Sequence, residues 1–154
     1  MIGFDTYATR RHLPHLQRQG KTYFVTPVTI NREVLSPQAR SITLEACLRD
    51  HERTYWLHVV VVMPEHAHLI FTPYDGWSLS KIMQRLKGSS AHYINKAQGR
   101  RGPLWLSESF DHILRSDESL SKKVEYVRQN PVRRGLVTRP EDYPWLWPRS
   151  DETR

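Results

Sequence analysis

Two histidines separated by a single residue, His66 and His68, head an apolar run, Leu69-Ile70-Phe71, that closely follows another from Leu57 to Val62. In a β-strand the two-residue period puts both imidazoles on one face, about 7 Å apart along the chain. Two imidazoles converging there are good ligands for one divalent cation. Ala67 between them faces the other way and is small enough for a packed interior. The pattern points to metal-assisted chemistry performed on a sheet.

Such a site becomes catalytic only if something attacks, and the covalent options are Ser, Cys and Tyr. Cys47 sits at a core position of an amphipathic stretch and is a poor nucleophile. Tyr126 has the best context. At about 100° per residue, Leu120, Val124 and Val127 share a narrow helical sector, and Tyr126 lies roughly 120° away from it. Asn130 follows one turn later on the same flank, where its amide oxygen is a candidate third ligand; Asn also caps helix C-termini often. Tyr93 is the rival nucleophile, but Ala97 one turn on offers no ligand.

The surrounding elements must hold these groups. Lys21 to Ile30 alternates as a strand, with Tyr23, Val25 and Val28 against Thr22, Thr26 and Thr29, and Pro27 argues for an edge or a bulge. Ser36-Pro37 starts a helix that reaches Arg49 and buries Ile42, Ala46, Cys47 and Leu48. Tyr55 to Met63 is a doubly buried strand. Pro64-Glu65 turns it, and His66 to Thr72 returns as its antiparallel partner. Ser78 caps a second helix through Ala97, weakened at Gly88. Residues 98 to 115 read as a connector. Ser116 and Asp117 open a third helix that stops near Asn130, because Pro131 follows. This order predicts an α+β fold, ferredoxin-like, with a small antiparallel sheet and helices packed on one face. Residues 1–20 form a basic irregular arm, residues 21–148 one catalytic domain, and residues 149–154 a polar tail.

The 154 residues carry a formal charge of +7 and a pI of about 9.8, which favours a polyanionic partner, nucleic acid by default. Between Gly76 and Ser107 no acid interrupts Lys81, Arg85, Lys87, Lys96, Arg100 and Arg101. Lys122, Lys123, Arg128, Arg133 and Arg134 form a second cluster, and Arg10 and Arg11 lie in the arm. These side chains are candidate phosphate contacts, and Trp105, Phe110 or Tyr93 are candidate stacking surfaces for unpaired bases. His112 is a further candidate DNA contact. A lone cysteine excludes a disulfide framework. No apolar run approaches the roughly 20 residues of a membrane span, and residues 1–20 hold no leader-type apolar core. The expectation is a cytoplasmic, nucleoid-associated protein with neither a membrane nor a small molecule as partner.

His66-Ala67-His68 resembles the HUH motif of single-tyrosine transposases. The segment Tyr126-Val127-Arg128-Gln129-Asn130-Pro131-Val132-Arg133-Arg134-Gly135 is similar to the tyrosine helix and Asn-Pro-Val-x-x-Gly stretch of REP-associated tyrosine transposases. Leu104-Trp105, Phe110-Asp111-His112-Ile113-Leu114-Arg115 and Tyr143-Pro144-Trp145 fit the same pattern, in the same order, across residues 20–148. Glu65 stands where that family commonly has Asn.

The resemblance implies a metal-dependent enzyme that nicks single-stranded or hairpin-forming DNA, of the repetitive extragenic palindrome type, and transfers strands. His66, His68 and Asn130 would hold Mg²⁺ or Mn²⁺. Tyr126 would form a 5′-phosphotyrosine link, helped to lose its proton by Lys122, Lys123, Arg128, the metal or a water. Members act as monomers or as homodimers. The alternative reading is a non-catalytic nucleic-acid-binding module with a ferredoxin-like sheet; another is a phosphodiesterase in which metal-bound water attacks.

Overall fold

Three serines start the three helices. Ser36, Ser78 and Ser116 each hold extended backbone geometry and accept a hydrogen bond from the amide three residues on, satisfying a donor that a helix N-terminus leaves orphaned. In the computed structural model, which describes residues 20–150, the elements are β1 (Thr22–Thr26), α1 (Pro37–Arg49), β2 (Tyr55–Val62), β3 (Ala67–Pro73), α2 (Leu79–Gln98), β4 (Phe110–Leu114), α3 (Asp117–Arg133) and β5 (Leu146–Trp147). The arm, including Arg10 and Arg11, lies outside the described residues except for Gly20, as do residues 151–154.

The strands form one sheet in the order β4-β1-β3-β2-β5, and each neighbouring pair is antiparallel. The first four strands with α1 and α2 make the βαββαβ arrangement of the ferredoxin-like α+β class, as expected. Helices α1 and α2 share one face, where Ala39, Ala46, Cys47, Ile82, Leu86 and Ile94 pack on Val25, Leu57, Val60, Leu69 and Phe71. The third helix does not join them. Leu120, Val124 and Val127 of α3 pack on Phe24, Val59, Val61 and Ile70 from the opposite face. A sheet covered on both faces needs apolar side chains at every position of its central strands. This is why Val59 to Val62 form an unbroken buried run.

One irregularity sets which side chain meets which core. Leu57 pairs with Phe71 and Val59 with Ile70, so His58 is an extra residue, a β-bulge. The bulge shifts the alternation, so that Leu57 and Val60 face α1 and α2 while Val59 and Val61 face α3.

Three expectations need correction. Pro27 does not mark an edge: β1 lies between β3 and β4, and Pro27 falls just beyond it, its carbonyl accepting the Ala67 amide at 3.0 Å. The connector of residues 98–115 contains the edge strand β4, whose residues are all exposed or half-buried, so that it offers no apolar alternation to read. Helix α3 does not stop before Pro131 but runs through it to Arg133. Proline there removes only the bond to the Val127 carbonyl. The stop comes at Gly135, whose φ of 74° suits a residue without Cβ. The Gly135 amide donates to Val132 and the Leu136 amide to Pro131, a Schellman ending. Among the described residues no helix is long and apolar enough to cross a membrane.

Leu120 carries much of the attachment of α3 and is 3% exposed. Leu120→Ala is expected to cost about 2–5 kcal/mol of stability, read as a lowered urea midpoint, while Tyr126→Phe at the half-exposed flank stays near wild type. Equal midpoints for Leu120→Ala and wild type would contradict this packing.

Candidate active site

The strand period that sends Ala67, Leu69 and Phe71 toward α1 and α2 sends His68 and Ile70 toward α3. Phe24 and Thr26 of β1 face the same way, because Phe24 pairs with Ile70. The His66 and His68 rings lie 4.7 Å apart between centroids, each residue only 8% exposed. Thr26 Oγ1 stands 2.7 Å from His68 Nδ1. With Nδ1–H donating to that oxygen, the lone pair is left on Nε2.

Burial first, then His66, Arg133 and Lys123, pushes the His68 pKa down to about 3. His66 is lowered as well, by burial above all; Glu65 opposes this and Arg134 and Arg32 reinforce it. Both imidazoles are therefore neutral at physiological pH, the form that ligates a cation. Glu65 is anchored by Arg134 Nη2 at 3.3 Å and Arg32 Nη1 at 3.6 Å, and its other oxygen lies 3.7 Å from His66 Nδ1. The ion pair with Arg134 ties the end of α3 to the turn that precedes His66.

Helix α3 brings the remaining groups. The Tyr126 ring, 42% exposed, sits 6.1 Å from the His68 ring and 6.4 Å edge-on to Phe24. Lys123 Nζ lies 4.8 Å and the Arg133 guanidinium 4.1 Å from its centroid, and Arg133 also donates to the Tyr126 carbonyl at 2.7 Å. Asn130 is 7% exposed, and its buried Oδ1 accepts no hydrogen bond, nor does His66 Nδ1 make one. Among the described residues no three of His, Cys, Asp and Glu cluster as metal ligands. The candidate donors are instead two neutral imidazoles on the sheet and one neutral amide oxygen on the helix packed over it. Buried lone pairs without donors fit a divalent cation that accepts mixed nitrogen and oxygen ligands.

The basic residues divide sharply. Lys123, Arg133 and Arg134 surround the tyrosine and histidines, and Lys122 lies on the same flank, 3.2 Å from Glu118. Arg128, expected at DNA, is buried, its Nη1 donating to the Pro148 and Arg149 carbonyls, so it fastens the chain after β5. Trp105, expected to stack on bases, is 6% exposed, and its indole donates to Ser90 Oγ at 2.9 Å inside the core. Lys87 Nζ donates to the Leu106 and Ser107 carbonyls, Arg85 grips the buried Asp50 at 3.0 Å, and Arg100 pairs with Glu33 at 3.1 Å. Lys96 lines a groove beside α1 with Tyr93 and Arg49, and Arg101 is exposed. The His112 ring of β4 lies tilted 5.2 Å from Phe24 and lines a groove with Tyr126.

Thr26 and Phe24 were not among the sequence candidates. The signal was present in the alternation of β1, since both fall on the face opposite Val25. It gains meaning only through the β1–β3 pairing.

Residues 18–130 match the family model described as "Transposase IS200 like". The REP-associated tyrosine transposase of Escherichia coli (strain K12) is 27% identical over 130 residues, covering 82% of this chain and 76% of the relative. A solved structure of a REP-associated tyrosine transposase bound to a REP hairpin superposes with a TM-score of 0.74 at 25% identity, covering 88% of this chain and 81% of that one.

The depressed His68 pKa has a consequence for metal-free protein. Between about 6.5, the value in the unfolded chain, and about 3 in the folded one, the unfolded state binds more protons. Stability relative to neutral pH is therefore intact above about 6.5 and falls as pH drops toward 3, with a slope approaching ~1.4 kcal/mol per unit. Urea midpoints measured in EDTA across this window are expected to fall more steeply for wild type than for His68→Gln. Identical slopes would contradict the buried neutral imidazole.

Proposed function

The chain belongs to the IS200-like transposase family, and we propose that it nicks single-stranded DNA and transfers the strand through a 5′-phosphotyrosine formed on Tyr126. The observation that carries this reading is the Tyr126 ring 6.1 Å from the His68 ring of the His66–His68 pair, with the buried, unpartnered oxygen of Asn130 one turn further along the same helix. A packed structural tyrosine needs none of these neighbours.

In the proposed reaction the Tyr126 phenolic oxygen attacks the scissile phosphorus, the P–O3′ bond breaks, and the phenol's proton is made good on the leaving 3′-oxygen. The phosphoester is conserved in the tyrosine link, so a second 3′-OH can reverse the step on another end without ATP. His66, His68 and Asn130 would hold Mg²⁺ or Mn²⁺, which when bound supplies Lewis-acid charge at a non-bridging phosphate oxygen. Thr26 fixes the His68 ring, and the Arg134–Glu65 pair holds α3 over the sheet. Lys123 and Arg133 both place positive charge against the Tyr126 ring, suited to a phosphate arriving there.

Hairpin DNA is the proposed substrate. It is supported by the relative solved with a REP hairpin and by the basic flank around Tyr126.

The test is a denaturing gel with labelled hairpin DNA carrying single-stranded flanks, with Mn²⁺ or Mg²⁺. Wild type is expected to yield a covalent adduct, Tyr126→Phe none, and His68→Ala at least ~100-fold less, as loss of several kcal/mol of charge stabilisation implies. EDTA should remove the adduct. Cleavage without an adduct would instead favour a water nucleophile, and binding without cleavage would reduce the protein to a binding module.

A further inference from the structure

Strand β4 carries a feature that the tyrosine chemistry leaves unused. Phe110 is 64% exposed at the sheet edge, the opening position of a strand whose neighbours are only partly covered. Its partner across the ladder is Thr26, and the partner of His112 is Phe24, so both β4 side chains stand on the face that holds His68. The rings run on from one another: Phe110 to His112 at 5.7 Å, His112 to Phe24 at 5.2 Å, and Phe24 to His68 at 5.3 Å and to Tyr126 at 6.4 Å. An aromatic row thus leads from the nucleophile to the solvent and ends on an uncovered ring.

Cations flank that row. His112, Arg115, Lys122, Lys123 and Tyr126 line one groove of about 590 Å³, large enough for a nucleotide. Among the acidic residues nearby, Glu118 is paired with Lys122 at 3.2 Å and Asp111 lines a separate groove with Lys87; Glu108 acts on Lys87, and Asp117 stands in the first turn of α3. An aromatic row that ends on an exposed ring, with a cationic groove opening at His112 behind that ring, suits a ligand that is flat and aromatic in one part and anionic in the next. Among macromolecules that is an unpaired nucleotide, whose base stacks while its phosphates meet Lys and Arg.

We propose that Phe110, with His112 behind it, is the stacking platform for one unpaired base close to the scissile phosphate. The buried Trp105 is unable to play this part. The inference rests on the DNA-nicking reading for its substrate but not on the identity of the nucleophile.

The experiment uses full-length Tyr126→Phe protein, which leaves the DNA whole, and a hairpin oligonucleotide with single-stranded flanks carrying 2-aminopurine at each flank position in turn. One position is expected to be quenched on binding. In the same background Phe110→Leu should abolish that quench and weaken binding about 5- to 150-fold, the range of one lost base–aromatic stack, while Phe110→Trp retains both. An abasic site at the quenched position should weaken Phe110-containing protein by a similar factor and leave Phe110→Leu unchanged. Unaltered quenching and affinity in Phe110→Leu, with its fold verified by circular dichroism, would overturn the proposal. Adduct formation scored separately with Tyr126 restored keeps the two readings apart. An adduct with no Phe110-dependent quench sinks the platform alone, and a Phe110-dependent quench with no adduct sinks the nicking reading alone.

Discussion

The apolar contact between α3 and the sheet is what the rest of this molecule depends on. Leu120, Val124 and Val127 are fixed against Phe24, Val59, Val61 and Ile70 by burial of nearly all their surface. That seam sets the height and rotation of the helix over β2 and β3. Tyr126 and Asn130 are carried on its flank, so their distance from the histidines is decided by methyl groups rather than by polar contacts. The Arg134–Glu65 pair fastens the far end of the same helix. With Arg134 partly exposed, an ion pair of this kind contributes little energy and mainly fixes geometry.

The electrostatics of the face follow from that packing. Bringing α3 down over the strands shields the imidazoles from water and surrounds them with Arg133, Lys123 and Arg134. Both effects oppose a proton on either ring. The same positive groups that discourage protonation are those an incoming phosphate would meet. A cation between the imidazoles, by contrast, gains lone pairs whose hydrogen-bonding alternatives folding has largely taken away.

How much of this was legible in the sequence depends on how local each determinant is. The start of α1 at Ser36-Pro37 and the shared face of His66 and His68 rest on neighbouring residues, and both appear as read. The flank position of Tyr126 follows from helical spacing alone. Thr26 escaped notice because its role is set by a partner 42 residues away. Trp105 and Arg128 have compositions suited to nucleic acid, yet the core and the chain after β5 claim them. An edge strand such as β4 has no fully buried face, hence no alternation to recognise. Pro131 signals a stop in the sequence because proline usually ends a helix. In the last turn it forfeits only one bond, and Gly135 supplies the ending.

The single thiol of the chain, Cys47, lies in the other core, on the far side of the sheet from Tyr126 and the histidines, with burial pushing its pKa upward. A nucleophile made of phenol, among imidazole and amide donors, has no sulfur whose oxidation state matters. Thiol-directed oxidants and alkylators that silence cysteine-dependent enzymes would find no thiol at this face, so the nucleophile itself is decoupled from the thiol redox condition of its surroundings.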